Sequence, residues 1–102
     1  MEILHLDGSN FDATISGSTK PVIVDFYADW CGPCKRIAPV IAELAKTHDE
    51  IIFCKVNVDD NQDIAARYSI QSIPAFIAFK DGKVHKTMVG ASSGQKILEL
   101  AD

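Results

Sequence analysis

Apolar residues fall along the chain in two kinds of run, continuous and helically periodic, and the order of the runs predicts the architecture. Ile3, Leu4 and Leu6 predict a short first strand, and Ser9 with Asp12 three residues on predicts a capping box. That box opens a helix carrying Phe11 and Ile15 and ending near Gly17. Pro21 then introduces VIVDFYA, β-branched and aromatic without alternation, as expected of a strand covered on both faces in the middle of a sheet. From Pro33 the spacing turns helical, with Ile37, Val40, Ile41 and Leu44 repeating at three and four as far as Thr47 to Glu50. Pro39 lies inside that run and predicts one kinked helix instead of two separate ones. IIFCKVNV follows as a second continuous strand, and a short helix is expected over about residues 61–68.

The pattern changes towards the end. Residues 75–80 and 83–89 read as strands joined at Asp81-Gly82, a dipeptide suited to a tight antiparallel hairpin. Gly90 breaks the second strand, and Ser92 or Ser93 can cap a last helix containing Ile97, Leu98 and Ala101. Three βα units followed by a hairpin and a helix predict an α/β fold with a mixed, five-stranded sheet and four helices. Without repeats or linkers, residues 1–102 are expected to form a single domain.

Composition narrows the possible functions. A chain of 102 residues that is 47% apolar can bury roughly two thirds of its unfolded surface, so its core requires no metal or disulfide staples. The net charge of -4 and the lack of a basic stripe argue against a nucleic-acid partner. Asp25 interrupts the best apolar run, so no membrane span is expected, and MEILHLDGSN lacks the features of a secretory signal. The expected compartment is the cytoplasm, where three cysteines point to thiol chemistry, metal binding or buried small side chains and not to a disulfide framework.

Cys31 and Cys34 stand in WCGPC, between the buried strand and the long helix. With Cys31 as N-cap, Pro33 takes the second helical position, where a missing N–H costs nothing. The Cys34 N–H is then the donor left for the Cys31 sulfur. That donor and the positive end of the helix both favour thiolate over thiol, a charge at such a site gaining about 0.3 to 1 kcal/mol. The i, i+3 spacing lets the pair close into a reducible disulfide once Cys31 adopts cap geometry. In that geometry Cys31 is expected to point outward and attack, and Cys34 to point inward and resolve. A zinc site would normally need a second ligand pair, whereas Cys54, His5, His48 and His85 are scattered singly. Cys54 itself reads as a small core residue.

WCGPC after VDFYAD, with KVNVDDN, SIPAF about forty residues on from the cysteines, KDGKV beyond it and VGA before the last helix, resembles the thioredoxin family over nearly the whole chain. The resemblance implies the thioredoxin fold, with the hairpin strands antiparallel to the other three, and a cis peptide before Pro74 facing the cysteines. By position, Asp25 matches the family's buried aspartate and Lys55 its lysine neighbour. Trp30, Gly32 and Pro33 match the redox loop, and Ile73, Pro74 and Gly90 the rim that receives substrate peptide. An aspartate inside VIVDFYA is costly to bury ionised, so a raised pKa is expected, and the group could accept the Cys34 proton. Two plainer alternatives are that Asp25 faces water and that it pairs with Lys55. The plainer alternative for Pro74 is a trans proline at a strand start. Trp30 could belong to the core, although beside an exposed thiol it suits an apolar docking face. Tyr27, Ser72 and Ala75 depart from the residues common in the family at their positions, which bears on partner preference.

The expected function is that of a protein dithiol–disulfide oxidoreductase acting as a reductant, with no bound cofactor. By resemblance, electrons return from an NADPH- and FAD-dependent thioredoxin reductase, and clients include peroxiredoxins; the chain is expected to be a monomer. Two rival readings are an oxidant or isomerase on the same fold, which in related proteins usually carries histidine between the cysteines, and a non-catalytic binding subunit.

Overall fold

The computed structural model describes all 102 residues, in the order β1 (Leu4–His5), α1 (Phe11–Gly17), β2 (Val22–Tyr27), α2 (Gly32–Thr47), β3 (Ile52–Asn57), α3 (Gln62–Arg67), β4 (Ala75–Lys80), β5 (Lys83–Val89) and α4 (Gly94–Glu99). The five strands form one sheet in the order β1-β3-β2-β4-β5. β1 and β2 run parallel to β3, and β4 runs antiparallel to both β2 and β5. Only β4 therefore opposes the other four strands: β5, turned back by the hairpin, runs in the same direction as β1, β2 and β3, contrary to the expectation that both hairpin strands are antiparallel to those three. The continuous apolar run of β2 is explained by its place as the central strand, where Val22 through Phe26 are all buried.

Alternate residues of β2 enter two separate cores. Val22, Val24 and Phe26 pack with Phe11 and Ile15 of α1 and Ile64 of α3. Ile23 points the other way, into a cluster with Ile37, Ile41 and Ala45 of α2 and with Ile97 of α4. Helices therefore cover both faces of the sheet, as expected for α/β units with crossover connections. α2 runs without interruption through Pro39, which is exposed, as is Lys35, whose carbonyl loses its usual helical donor to the proline.

Two local expectations fail. No capping box forms at Ser9: the N-cap of α1 is Asn10, with no side-chain capping bond. The Asp7 carboxylate instead accepts from the Ser9 N–H at 2.8 Å, while Asn10 Oδ1 accepts from the Asp7 N–H at 2.8 Å. A turn held by two Asx side chains thus captures the hydroxyl residue that would have capped the helix. β1 is also shorter than the run from Ile3 to Leu6, although Leu6 is buried and its N–H still bonds the Lys55 carbonyl at 2.9 Å.

At the hairpin, Asp81 and Gly82 both have positive φ, 53° and 77°, the conformation that makes Asp-Gly the favoured pair for a two-residue turn. The β4–β5 register shifts beyond Ala78, where Lys86 is followed by Val84 as the next paired residue and His85 is passed over.

Candidate functional site

The redox loop leaves β2 after the half-buried Tyr27 and enters α2 at Cys31. Cys31 has extended backbone angles, φ -85° and ψ 110°, and caps the helix through its side chain. Its sulfur accepts the Cys34 N–H at 3.2 Å, the donor that Pro33 leaves available. Behind it the Cys31 N–H bonds the Ala28 carbonyl at 3.2 Å, and the Cys31 carbonyl accepts from Lys35 at 3.1 Å. The two cysteines are joined as a disulfide with a Cα–Cα distance of 5.2 Å. Cap geometry therefore brings together two residues that regular helix would hold too far apart.

The expected contrast between an outward Cys31 and an inward Cys34 is absent from the closed pair, because both residues are 4% exposed. Ala28, Cys31 and Cys34 form a small apolar cluster against Tyr27, Val58 and Ile73, which shields the sulfurs on several sides.

Ile73 and Pro74 close the opposite wall. The Ile73–Pro74 peptide is cis, and the Ile73 carbonyl oxygen lies 3.9 Å from the Cys31 sulfur. The Gly90 N–H donates to the Pro74 carbonyl at 2.8 Å, and Gly90 has φ +93°, so the end of β5 is tied to the wall through backbone that suits glycine. Cys31, Ile73, Pro74 and Gly90 are thus linked in space, although more than forty residues separate the first two in sequence.

Asp25 sits in the middle of β2, opposite Lys55 of β3 and Phe76 of β4. It is 1% exposed, and neither carboxylate oxygen has a hydrogen-bond partner. Burial pushes its pKa up from 3.8 to about 7, with the Lys55 charge pulling weakly in the other direction. The two plainer readings of Asp25 fail: it does not face water, and Lys55 forms no ion pair with it. The Lys55 ammonium lies 4.4 Å from the centroid of the Tyr27 ring instead. Asp25 shares with Ile23 the sheet face covered by α2, the helix that begins with the cysteine pair.

Trp30 is 70% exposed, which excludes a place in the core. Its indole Nε1–H donates to Asp59 Oδ2 at 2.9 Å. Asp59 was not apparent from sequence as the partner of Trp30, although it lies in KVNVDDN, one of the segments that carry the family resemblance. Gly32 and Pro33 form the first turn of α2 and are half-buried. Cys54 is fully buried, and burial pushes its thiol up to about 12. His5 and His85 are exposed, while His48 contacts Glu50 at 3.1 Å. No group of three or more His, Cys, Asp or Glu side chains is placed to hold a metal ion. No helix is long and apolar enough to cross a membrane.

A five-stranded mixed sheet with a disulfide-forming pair at the start of a helix defines a dithiol–disulfide oxidoreductase of the α/β class. A sequence model of the thioredoxin family matches residues 2–102. The thioredoxin of Pseudomonas aeruginosa is 40% identical over 98% of this chain and 94% of its own length. The chloroplastic M-type thioredoxin of Triticum aestivum is 47% identical over 99% of this chain, which spans 58% of that relative. A solved thioredoxin structure from Plasmodium falciparum is 39% identical and superposes with a TM-score of 0.89, covering 97% of this chain and 100% of the other. The chain belongs to the thioredoxin family.

Proposed function

We propose that the chain acts as one domain, a monomeric cytoplasmic reductant of protein disulfides. The observation that carries this reading is the Cys31 sulfur held at a helix N-cap by the Cys34 N–H, with Cys34 bonded to it. In the reduced protein the Cys31 thiolate attacks one sulfur of a client disulfide, forming a mixed disulfide and expelling a client thiolate. Cys34 gives up its proton, Asp25 being the buried acceptor, and its thiolate attacks the Cys31 sulfur. The second client thiolate leaves, and the client has gained two electrons while Cys31 and Cys34 become the disulfide.

A carboxyl with a pKa near 7 suits the acceptor role, because it is neither fully ionised nor fully protonated at neutrality. Lys55 tunes Asp25 through its charge. Gly32 and Pro33 shape the redox loop, and Trp30, Ile73, Pro74 and Gly90 form the rim on which an extended client segment rests. Electrons return from an NADPH- and FAD-dependent thioredoxin reductase, and peroxiredoxins are among the clients. The near-full-length match to bacterial relatives supports the cytoplasmic assignment.

Insulin reduction with NADPH and a thioredoxin reductase tests the chemistry and the electron supply together. Reduction dependent on both added components is expected; intact insulin after prolonged incubation overturns the reading. Equilibration with glutathione separates reductant from oxidant, since a strongly oxidising potential contradicts the direction proposed.

A further inference from the structure

Trp30 is the only tryptophan in the chain, it adjoins Cys31, and 70% of its surface is in solvent. A ring so exposed has little packing to select one rotamer. The bond from Nε1 to Asp59 Oδ2 supplies a polar tie that does so.

Asp59 lies in the turn between β3 and α3, and Asn57, the last residue of β3, builds that turn. Asn57 Oδ1 accepts from the N–H of Asp59 at 2.9 Å and of Asp60 at 3.3 Å. The Asn57 carbonyl accepts from the carboxamide of Asn61, a buried residue, at 3.1 Å. Val58, between them, donates its N–H to the Tyr27 carbonyl at 2.9 Å. The turn carrying Asp59 is thereby fastened to the end of β2, the point from which the Trp30 loop departs.

We propose that Asn57 and Asp59 are positioning residues for client recognition: Asn57 shapes the turn, and Asp59 holds the Trp30 ring as a preset apolar plate beside Cys31. The inference rests on the reading of the chain as a reductant of protein disulfides. A client polypeptide meets a ring already in place and does not have to order it on arrival. Neither Asn57 nor Asp59 touches the reacting sulfurs, so the effect falls on client affinity and not on thiol exchange. A small disulfide that reaches Cys31 without covering the ring does not feel it.

The test uses pre-reduced wild-type protein and the variants Asp59→Ala, Asp59→Asn and Asn57→Ala. Each is mixed with insulin over a range of concentrations and, separately, with bis(2-hydroxyethyl) disulfide. Acrylamide quenching of Trp30 fluorescence is read on the same samples. Asp59→Ala is expected to raise the half-saturating insulin concentration about five-fold, the scale of losing one exposed charge-assisted hydrogen bond. Its limiting rate and its rate with the small disulfide stay near wild type, and quenching of Trp30 increases. Asn57→Ala shifts both readouts in the same direction. Asp59→Asn keeps an acceptor oxygen without the charge and falls between Asp59→Ala and the wild type in both readouts. Unchanged insulin saturation or unchanged quenching in Asp59→Ala overturns the proposal. So does an equal loss on both disulfides, or an Asp59→Asn variant as impaired as Asp59→Ala. Wild-type protein that reduces the small disulfide but leaves insulin intact overturns the parent reading, an outcome distinct from all of these.

Discussion

Asp25 and Lys55 are register partners on adjacent strands, yet they form no ion pair: the carboxylate is buried without a partner and the ammonium rests over Tyr27. The native state therefore bears the cost of an ionised Asp25. Because burial raises the folded pKa from 3.8 to about 7, the folded protein holds this proton more tightly than the unfolded chain does. Stability contributed by the neutral carboxyl is fully present below the unfolded value, is lost as pH rises towards about 7, and stays lost above it. The penalty at full ionisation is on the order of 4 kcal/mol. Asp25→Ala is expected to be more stable than the wild type by about 2 to 4 kcal/mol at pH 8, with the difference shrinking towards pH 4. Urea denaturation at the two pH values measures this, and a pH-independent difference contradicts it.

The division of labour between the cysteines predicts a trap. Cys34→Ser leaves Cys31 able to attack but removes the thiol that releases the client. Incubation with a cytosolic extract should yield covalent adducts that dithiothreitol dissolves, whereas Cys31→Ser should yield none. Equal trapping by both variants would show that the attacking thiol is not unique.

Cys54 should be chemically silent. Fully buried in β3, with its thiol pushed up to about 12, it is expected to resist iodoacetamide in the native protein and to react only in denaturant. Mass spectrometry of the reduced, native protein should therefore find label on the redox pair alone. Cys54→Ala should retain insulin reduction and lose about 1 kcal/mol of stability, from the sulfur removed from a packed site.

Glycine-to-alanine changes separate backbone strain from simple space. A Cβ would meet nothing within 4 Å at either Gly17 or Gly90, but Gly90 alone of the two has a positive φ. Gly90→Ala should cost about 1 to 2 kcal/mol through left-handed backbone. Gly17→Ala, in α1, should be neutral or stabilising by about 0.5 kcal/mol. Thermal melts of both variants decide the point, and equal shifts would rule out strain at Gly90.

Much of the fold was legible because its signals are local. The non-alternating apolar character of VIVDFYA marked the central strand, Asp81-Gly82 marked the hairpin, and the pair Ser92-Ser93 marked the last helix, Ser93 being the one whose side chain accepts from the Lys96 N–H at 3.2 Å. With Cys31 taken as N-cap, the Cys34 N–H as donor to its sulfur followed from Pro33, since a proline there leaves only one nearby donor. The capping box at Ser9 misled because Asp7, two residues earlier, competes for the same hydroxyl residue. The burial of Cys31 was not legible either, because its cover comes from Ile73 and Val58, which the chain path brings in from two other loops. For the same reason the Trp30–Asp59 bond, spanning 29 positions, left no periodic trace.

The two borders of the sheet differ from its centre in a way that matters for solubility. β1 is only two residues long, and β5 places Lys83, His85 and Lys86 on an exposed strand whose pairing slips at Ala78. Neither border offers the long, flat, uncharged row of free donors and acceptors on which identical chains stack into aggregates. The molecule can thus keep a mouth open to foreign polypeptides while discouraging its own copies from polymerising edge to edge.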